Sequence, residues 1–229
     1  MHKSELSSAG KKSSLADIIL GGQDGLVNVL GVILGVAAAT SSYKVIIAAG
    51  MAATFAESIS MAAVALTSKM AERDNYYSEL GREKYEIKKM PLLEKKEVRD
   101  IYKTKGFKGK ILNDIVKHIT SNNEQWLKFM MKEELELTEI KNKDIYIGSF
   151  VVGFSALVGS FVPITPFFFL PIKLAIIWSL VVSAVVLMLI GIYKAKATIG
   201  NPFKTGLQMV LIGMGAALAG YYIGHFFGQ

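Results

Sequence analysis

An acidic side chain lies inside the first long apolar segment of the sequence. Asp24 follows Gly21-Gly22-Gln23, and Asn28 lies one helical turn later on the same face. A carboxylate at membrane depth is costly unless it is partnered or hydrated, which makes it a functional candidate. The alternative is an interfacial position, since Asp24 is only nine residues after Leu15 and a helix rises about 1.5 Å per residue.

The second apolar segment also contains an acid. Glu57 and Met61 are four residues apart, so a helix places them on one face. A carboxylate with a thioether suits Fe²⁺ or Mn²⁺ better than Ca²⁺ or Mg²⁺, because sulfur adds little to hard cations. A methionine by itself more often fills space in a core. We therefore expect a transport path that includes four residues: Asp24, Asn28, Glu57 and Met61.

The charged middle of the chain repeats potential ligands at helical spacing. Converging carboxylates in helical bundles build metal sites, and here they would form an open site without histidine. The alternative is a solvated surface with ion pairs between neighbouring turns. The candidate metal ligands are Glu83, Glu86, Glu94, Glu97, Met130, Met131 and Glu134.

The residue types that support most enzyme chemistries are missing or isolated. The chain has no cysteine, and its three histidines have no second histidine at ligand spacing. No nucleophile elbow, phosphate-binding loop or catalytic dyad is present, so we expect no enzyme activity. A lipid-modifying enzyme would need a histidine or an acid dyad near the membrane interface, and the sequence offers none.

The elements that position these residues are mainly apolar helices. The chain is 52% hydrophobic, with a mean hydropathy of +0.38, too apolar for an ordinary soluble domain. Five segments are long enough to span a bilayer: Leu15 to Thr40, Lys44 to Thr67, Ile145 to Pro166, Leu170 to Tyr193, and Phe203 to Phe227. The predicted fold is an all-α membrane protein with five transmembrane helices and a cytoplasmic three-helix metal-binding insertion between the second and third.

This pattern divides the chain into a cytosolic tail (1–14), spans one and two (15–67), the cytoplasmic insertion (68–144) and spans three to five (145–229). Within the insertion we expect one helix continuing from the second span to Lys89, a second near Leu93 to Lys103 and a third near Lys108 to Glu136. The prolines of Val162–Pro166 should end the third span in a tight loop.

Small residues and charges add two further expectations. Gly21, Gly25, Gly31 and Gly35 form two small-xxx-small pairs, which favour close helix packing or a homodimer seam in the first span. Summed over alternate sides of five spans, 24 Lys and Arg residues lie on one side and 2 on the other. The positive-inside rule then places the N-terminus and the insertion in the cytosol. It also explains the net charge of +7 without a nucleic-acid partner.

Several motifs in order resemble the vacuolar iron transporter family, over about Ala16 to Gly224. They are Asp17–Leu26 in the first span, Ser58–Ala62 in the second, Tyr77–Glu83, Glu86-Ile87, Glu94–Val98 and Phe129–Leu135 in the insertion, and Pro163–Pro166 after it. The resemblance implies a homodimer of five-span subunits that exchanges Fe²⁺ for protons. It also implies that Asp24 and Met61 belong to the ion path and that the seven insertion residues bind metal.

One position departs from the pattern of many eukaryotic members. They carry a glutamate eight residues before the methionine of span two, where this chain has Ala53, and the acid comes one turn later as Glu57. Because one turn keeps the same face of a helix, we expect Glu57 to take that role.

The functional expectation is a multi-pass transporter that moves Fe²⁺, and also Mn²⁺, out of the cytosol by exchange for protons. Co²⁺ and Zn²⁺ would be accepted by the same ligands. The membrane would be vacuolar in a eukaryote and the cell membrane in a prokaryote. The alternative is a membrane-bound metal sensor or binding protein that transports nothing.

Overall fold

The computed structural model describes residues 2–198 and 200–228, with side chains from residue 15 onward. These ranges are almost entirely helical and contain no β-strand. The helices are α1 (His2–Ala39), α2 (Tyr43–Lys89), α3 (Pro91–Thr104), α4 (Gly109–Ile119), α5 (Asn123–Phe129), α6 (Asn142–Phe169), α7 (Ile172–Ala197) and α8 (Pro202–Phe227). Five of them (α1 from Leu15, α2, α6, α7 and α8) are long and apolar enough to cross a membrane, which confirms the predicted all-α class and its five membrane-spanning helices.

The chain forms two compact units. The transmembrane unit comprises Met1–Leu66 and Tyr146–Gln229, and the insertion unit comprises Thr67–Ile145. All five long helices contribute to the main core of the transmembrane unit. Its buried residues are Leu30, Ile33, Leu34, Ile46, Ile164, Phe167, Ala175 and Ala217.

Glycines bring α1 against the backbones of two neighbouring helices. A Cβ added at Gly21 or Gly25 would collide with the backbone of α6, at Val152 and Ala156 respectively. On another part of α1, a Cβ at Gly35 would lie 2.8 Å from the carbonyl oxygen of Gly220 in α8. The predicted close packing is therefore confirmed, and these glycines use it within one chain.

The expected loop at Val162–Pro166 is wrong, because α6 continues through both prolines to Phe169. Hydroxyl groups hydrogen-bond the carbonyls near them: Ser179 Oγ donates to the Pro163 oxygen at 2.7 Å, and Thr165 Oγ1 donates to the Phe161 oxygen at 2.6 Å. Membrane helices tolerate proline where packing against neighbouring helices compensates for the missing N–H groups, and here Ser179 ties α7 to α6 at Pro163. The chain turns instead at Leu170 and Pro171.

The insertion unit has its own apolar core. Its buried residues come from α2, α3, α4, α5 and the turn after α5: Ile87, Val98, Leu112, Val116, Ile119, Trp126 and Met130. Pro91 begins α3 at the position where a missing backbone N–H does no harm, which explains the break after Lys89. The unit thus holds α3 against α4 and against the turn that follows α5.

The single third helix expected over Lys108 to Glu136 is also wrong. α4 ends at Ile119, and α5 starts after Asn122, whose side chain accepts hydrogen bonds from the backbone N–H groups of Glu124 and Gln125. Short polar side chains favour such caps over helix interiors. Beyond α5, residues Met130–Glu134 form a π-helical turn.

The packing of α6 on α1 predicts a selective glycine effect. Gly159→Ala should destabilise the protein by about 1–3 kcal/mol, because its Cβ would collide with the backbone of Gly22. Gly215→Ala is the matched control, since nothing lies within 4 Å of the added atom. Thermal unfolding of the two purified variants in detergent measures the difference, and equal melting temperatures would contradict this packing.

Candidate metal-binding sites

Two acids and an amide lie together in the transmembrane unit. Asn28 Nδ2 donates a hydrogen bond of 3.3 Å to Asp24 Oδ2 on α1. Glu57 of α2 is close enough to Asp24 and Asn28 for hydrogen bonding between their side chains. Asp24 and Glu57 are partly buried, whereas Asn28 is exposed. Two carboxylates at such close range can share a proton or a cation that neither would hold alone.

Both helices that carry this pair are fixed by α6. Gly21 and Gly25 hold α1 against the α6 backbone, on either side of Asp24 in the sequence. On α2, Ser58 follows Glu57 directly in the sequence, and its Oγ donates a 2.9 Å hydrogen bond to the Gly153 oxygen of α6. Met61 follows Glu57 by one turn and is partly buried. The structure therefore brings Asp24, Asn28 and Glu57 together and places Met61 along the same helix.

Five glutamates from three elements of the insertion unit lie within range of one another's charges. We call Glu83, Glu86, Glu94, Glu97 and Glu134 the acidic cluster. They come from the end of α2, from α3 and from the π-helical turn. Glu83 and Glu94 are each only 2% exposed, which is exceptional for a carboxylate.

Burial and mutual repulsion raise the pKa of three of these acids. Burial, together with the charges of Glu97 and Glu83, raises the pKa of Glu94 to about 7. Burial, followed by the same kind of repulsion, raises the pKa of Glu134 to about 7. The pKa of Glu83 is also raised, first by burial and then by Glu86. A divalent cation would offset both the cost of burying charged carboxylates and the repulsion between them.

The carboxylate oxygens of the acidic cluster are suitable metal ligands, but they are not arranged around a metal position. Glu83 Oε2 and Glu94 Oε2 are buried and have no hydrogen-bond partner among the described residues. Buried oxygens without partners require an ion or water. Yet no three His, Asp or Glu side chains in the described ranges are placed to hold one metal ion. The cluster supplies donors of the right chemistry that must move to coordinate an ion.

The two candidate methionines differ in their surroundings. Met130 is fully buried in the apolar core of the insertion unit, beside residues such as Val98 and Trp126. Met131 is also buried but does not belong to that core. Both lie in the π-helical turn with Glu134, and π-helical turns are frequent at functional sites. Met130 therefore packs in this core and Met131 does not, and metal binding by the two methionines stays a prediction.

Sequence reasoning missed the cation of this region. Arg82 pairs with Glu79, Glu83 and Glu86, with nitrogen–oxygen distances of 2.9, 3.7 and 3.6 Å. The spacing of Arg82 from Glu79 and Glu86, three and four residues on one helix, was the available signal.

Comparison with known proteins gives consistent similarities. The sequence profile of the VIT family matches residues 15–225. "Vacuolar iron transporter 1" of Eucalyptus grandis is 32% identical over 221 residues, covering 96% of this chain and 88% of that protein. "Vacuolar iron transporter 1" of Tulipa gesneriana is 32% identical over 206 residues, covering 90% and 83%. "Vacuolar iron transporter" of Plasmodium falciparum (isolate 3D7) is 30% identical over 223 residues, covering 93% and 82%.

The raised pKa values predict that the metal-free insertion unit loses stability with increasing pH. Glu94 and Glu134 have folded pKa values of about 7 against an ordinary value of 4.5, so folding favours their protonated forms. Stability should be greatest below about pH 4.5, fall as pH rises to about 7, and change little above that. Between pH 5 and pH 8, the melting temperature of the insertion unit should fall by a few degrees.

The fluorescence of Trp126, followed in a Trp178→Phe background, measures this transition because Trp126 lies in the core of the insertion unit. Mn²⁺ should raise the melting temperature at pH 8 and have little effect at pH 5. Glu94→Gln should remove much of the pH dependence, since its side chain stays neutral throughout. The same pH slope in Glu94→Gln would show that titration of Glu94 is not its cause.

Proposed function

The chain belongs to the VIT family, and from that membership we propose that it is a membrane transporter that moves Fe²⁺ out of the cytosol in exchange for protons. The observation that carries the proposal is the contact between Asp24 and Glu57, acids on two membrane-spanning helices. A pair of acids within apolar spans marks an ion or proton pathway. The names of the relatives, which are vacuolar iron transporters, support iron as the cargo.

The acidic cluster would capture the metal before transport. Its buried carboxylates lose their protons when a cation binds, so binding is coupled to proton release. Met131, in the π-helical turn, adds a polarizable sulfur, which favours Fe²⁺ and Mn²⁺ over Ca²⁺ and Mg²⁺. Co²⁺ and Zn²⁺ would compete for the same donors.

Transfer across the membrane would then use Asp24, Asn28, Glu57 and Met61. The paired acids bind either a cation or a proton, so a proton from the far side can displace the metal. This competition supplies a physical basis for exchange. Glu57 takes the role of the missing glutamate at Ala53, and its proximity to Asp24 supports that assignment.

We place the N-terminus and the insertion in the cytosol, following the distribution of Lys and Arg. We also propose a homodimer, because Asn28 is exposed on a helix that spans the membrane and carries a polar group that a second copy would cover. The membrane would be vacuolar in a eukaryotic cell and the cell membrane in a prokaryotic one.

The second candidate function is a metal sensor that binds ions in the insertion and transports none. The acidic cluster favours it, because five carboxylates of one compact unit suffice for binding. A sensor has no use for Asp24, whereas a transporter depends on it. The two functions therefore differ in their response to substitutions at that position.

Flux through proteoliposomes tests the proposal. Asp24→Asn should lower Fe²⁺ uptake and the accompanying proton efflux at least about tenfold, since an amide cannot exchange a proton for a cation. Fe²⁺ binding to the acidic cluster should stay unchanged. Asp100→Asn is the matched control, because this exposed acid on α3 lies outside both sites. Unchanged flux in Asp24→Asn would contradict the proposed path. If the wild-type protein binds Fe²⁺ but transports none, the sensor is the correct function.

A further inference from the structure

Arg82 occupies a position between three carboxylates of the insertion unit. Its Nη2 atom lies 2.9 Å from Glu79 Oε2 and 3.7 Å from Glu83 Oε1, and its Nε atom lies 3.6 Å from Glu86 Oε2. Glu83 and Glu86 belong to the acidic cluster, and Glu79 does not. One guanidinium therefore pairs with two candidate metal ligands and with a third acid beside them.

We propose that Arg82 is a tethered counter-cation that competes with the divalent metal for Glu83 and Glu86 and keeps the affinity of the acidic cluster low enough for release. This inference rests on the proposed function, in which the cluster captures metal for transport. It assigns Arg82 a positioning and affinity-setting role, and it makes Glu79 the partner that retains Arg82 when metal binds.

Charge supports this competition. The positive charge of Arg82 lies 3.7 Å from a carboxylate oxygen of Glu83 and 3.6 Å from one of Glu86, the range at which opposite charges attract. A guanidinium stays charged at all relevant pH values, so Arg82 competes even where protons no longer do. A divalent ion that enters must overcome repulsion from Arg82 and also replace its two ion pairs.

Geometry supports it as well. The carboxylates of Glu83 and Glu86 pair with Arg82, while no three acidic or histidine side chains in the described ranges are placed to hold one metal ion. Arg82 keeps 52% of its side chain exposed, so it can withdraw into solvent without unfolding the core. Its pairing with Glu79 is the shortest of the three, and Glu79 lies three residues away on the same helix.

This arrangement predicts opposite effects for the two partners. Arg82→Gln removes the competing charge and should tighten metal binding roughly tenfold. This is a small effect for an opposite charge at such a distance, because Arg82 is half exposed and solvent screens its charge. Glu79→Gln removes the alternative partner, strengthens the pairing of Arg82 with Glu83 and Glu86, and should weaken binding. Arg82→Lys retains the charge and should bind close to the wild-type affinity.

The test is calorimetric titration of the purified full-length protein with Mn²⁺, and with Fe²⁺ under anaerobic conditions. Arg73→Gln is the matched control, since Arg73 lies on the same helix and pairs with Asp74 and Asn142 instead of the acidic cluster. Its affinity should match the wild type. Melting temperatures of the metal-free variants establish that each one is folded.

The outcomes separate this inference from the proposed function. If Arg82→Gln binds metal with the same dissociation constant as the wild type, or more weakly, the role of Arg82 is overturned. The capture site itself is unaffected by that outcome. Absence of binding by every variant overturns both. Tighter binding by Arg82→Gln and Arg82→Lys alike also overturns the inference, because the effect would then come from the shape of the arginine and not from its charge.

Discussion

The structure depends on holding several carboxylates close together where water cannot solvate them. A buried carboxylate is disfavoured in its charged form, and a neighbouring carboxylate disfavours it further. Three responses are possible: a proton, an internal cation or a bound metal ion. The insertion unit uses the first at Glu94 and Glu134, whose pKa values rise to about 7, and the second at Arg82. The third is the response that a metal-capturing unit requires, and it relieves the same repulsion.

The scaffold must be rigid to keep such groups together against their repulsion. In the transmembrane unit, direct contact of helix backbones supplies this rigidity, because glycines of α1 leave no side chain between it and α6 or α8. The hydrogen bond from Ser58 to Gly153 ties α2 to the same helix α6. Asp24 and Glu57 are thus carried by two helices that both pack on α6, so packing sets the distance between the acids against their mutual repulsion.

Sequence reasoning succeeded where one helix or one apolar segment decides the outcome. The five long helices follow from hydropathy and length, and the break at Pro91 follows from proline chemistry. It failed where a neighbouring element decides. The prolines of α6 lie within a continuous helix, and the buried hydrogen bond from Ser179 of α7 to the Pro163 carbonyl is a contact that no local pattern reveals. The capping of α5 by Asn122 was visible in the residue type, but an amphipathic pattern running through it concealed the break.

The candidate sites show the same division. Spacing along α2 and α3 identified the glutamate pairs, because three residues on a helix return to one face. Spacing says nothing about which element faces a given side, and so it treated Met130 and Met131 as equivalent. The fold gives Met130 to the apolar core of the insertion unit. Sequence reasoning also overlooked Arg82, because a search for metal ligands considers only groups that bind cations. A cationic side chain that pairs with those ligands is not among them.

The two groups of acids differ in the partner that accompanies them. The partner of Asp24 is Asn28, a neutral amide that donates a hydrogen bond but does not repel a cation. The partner of Glu83 and Glu86 is Arg82, a permanent charge that does. A cluster of five carboxylates without an internal cation would hold a divalent ion strongly and release it slowly. If the acidic cluster captures metal as proposed, Arg82 would lower its affinity, and a bound ion would then pass more readily to Asp24 and Glu57.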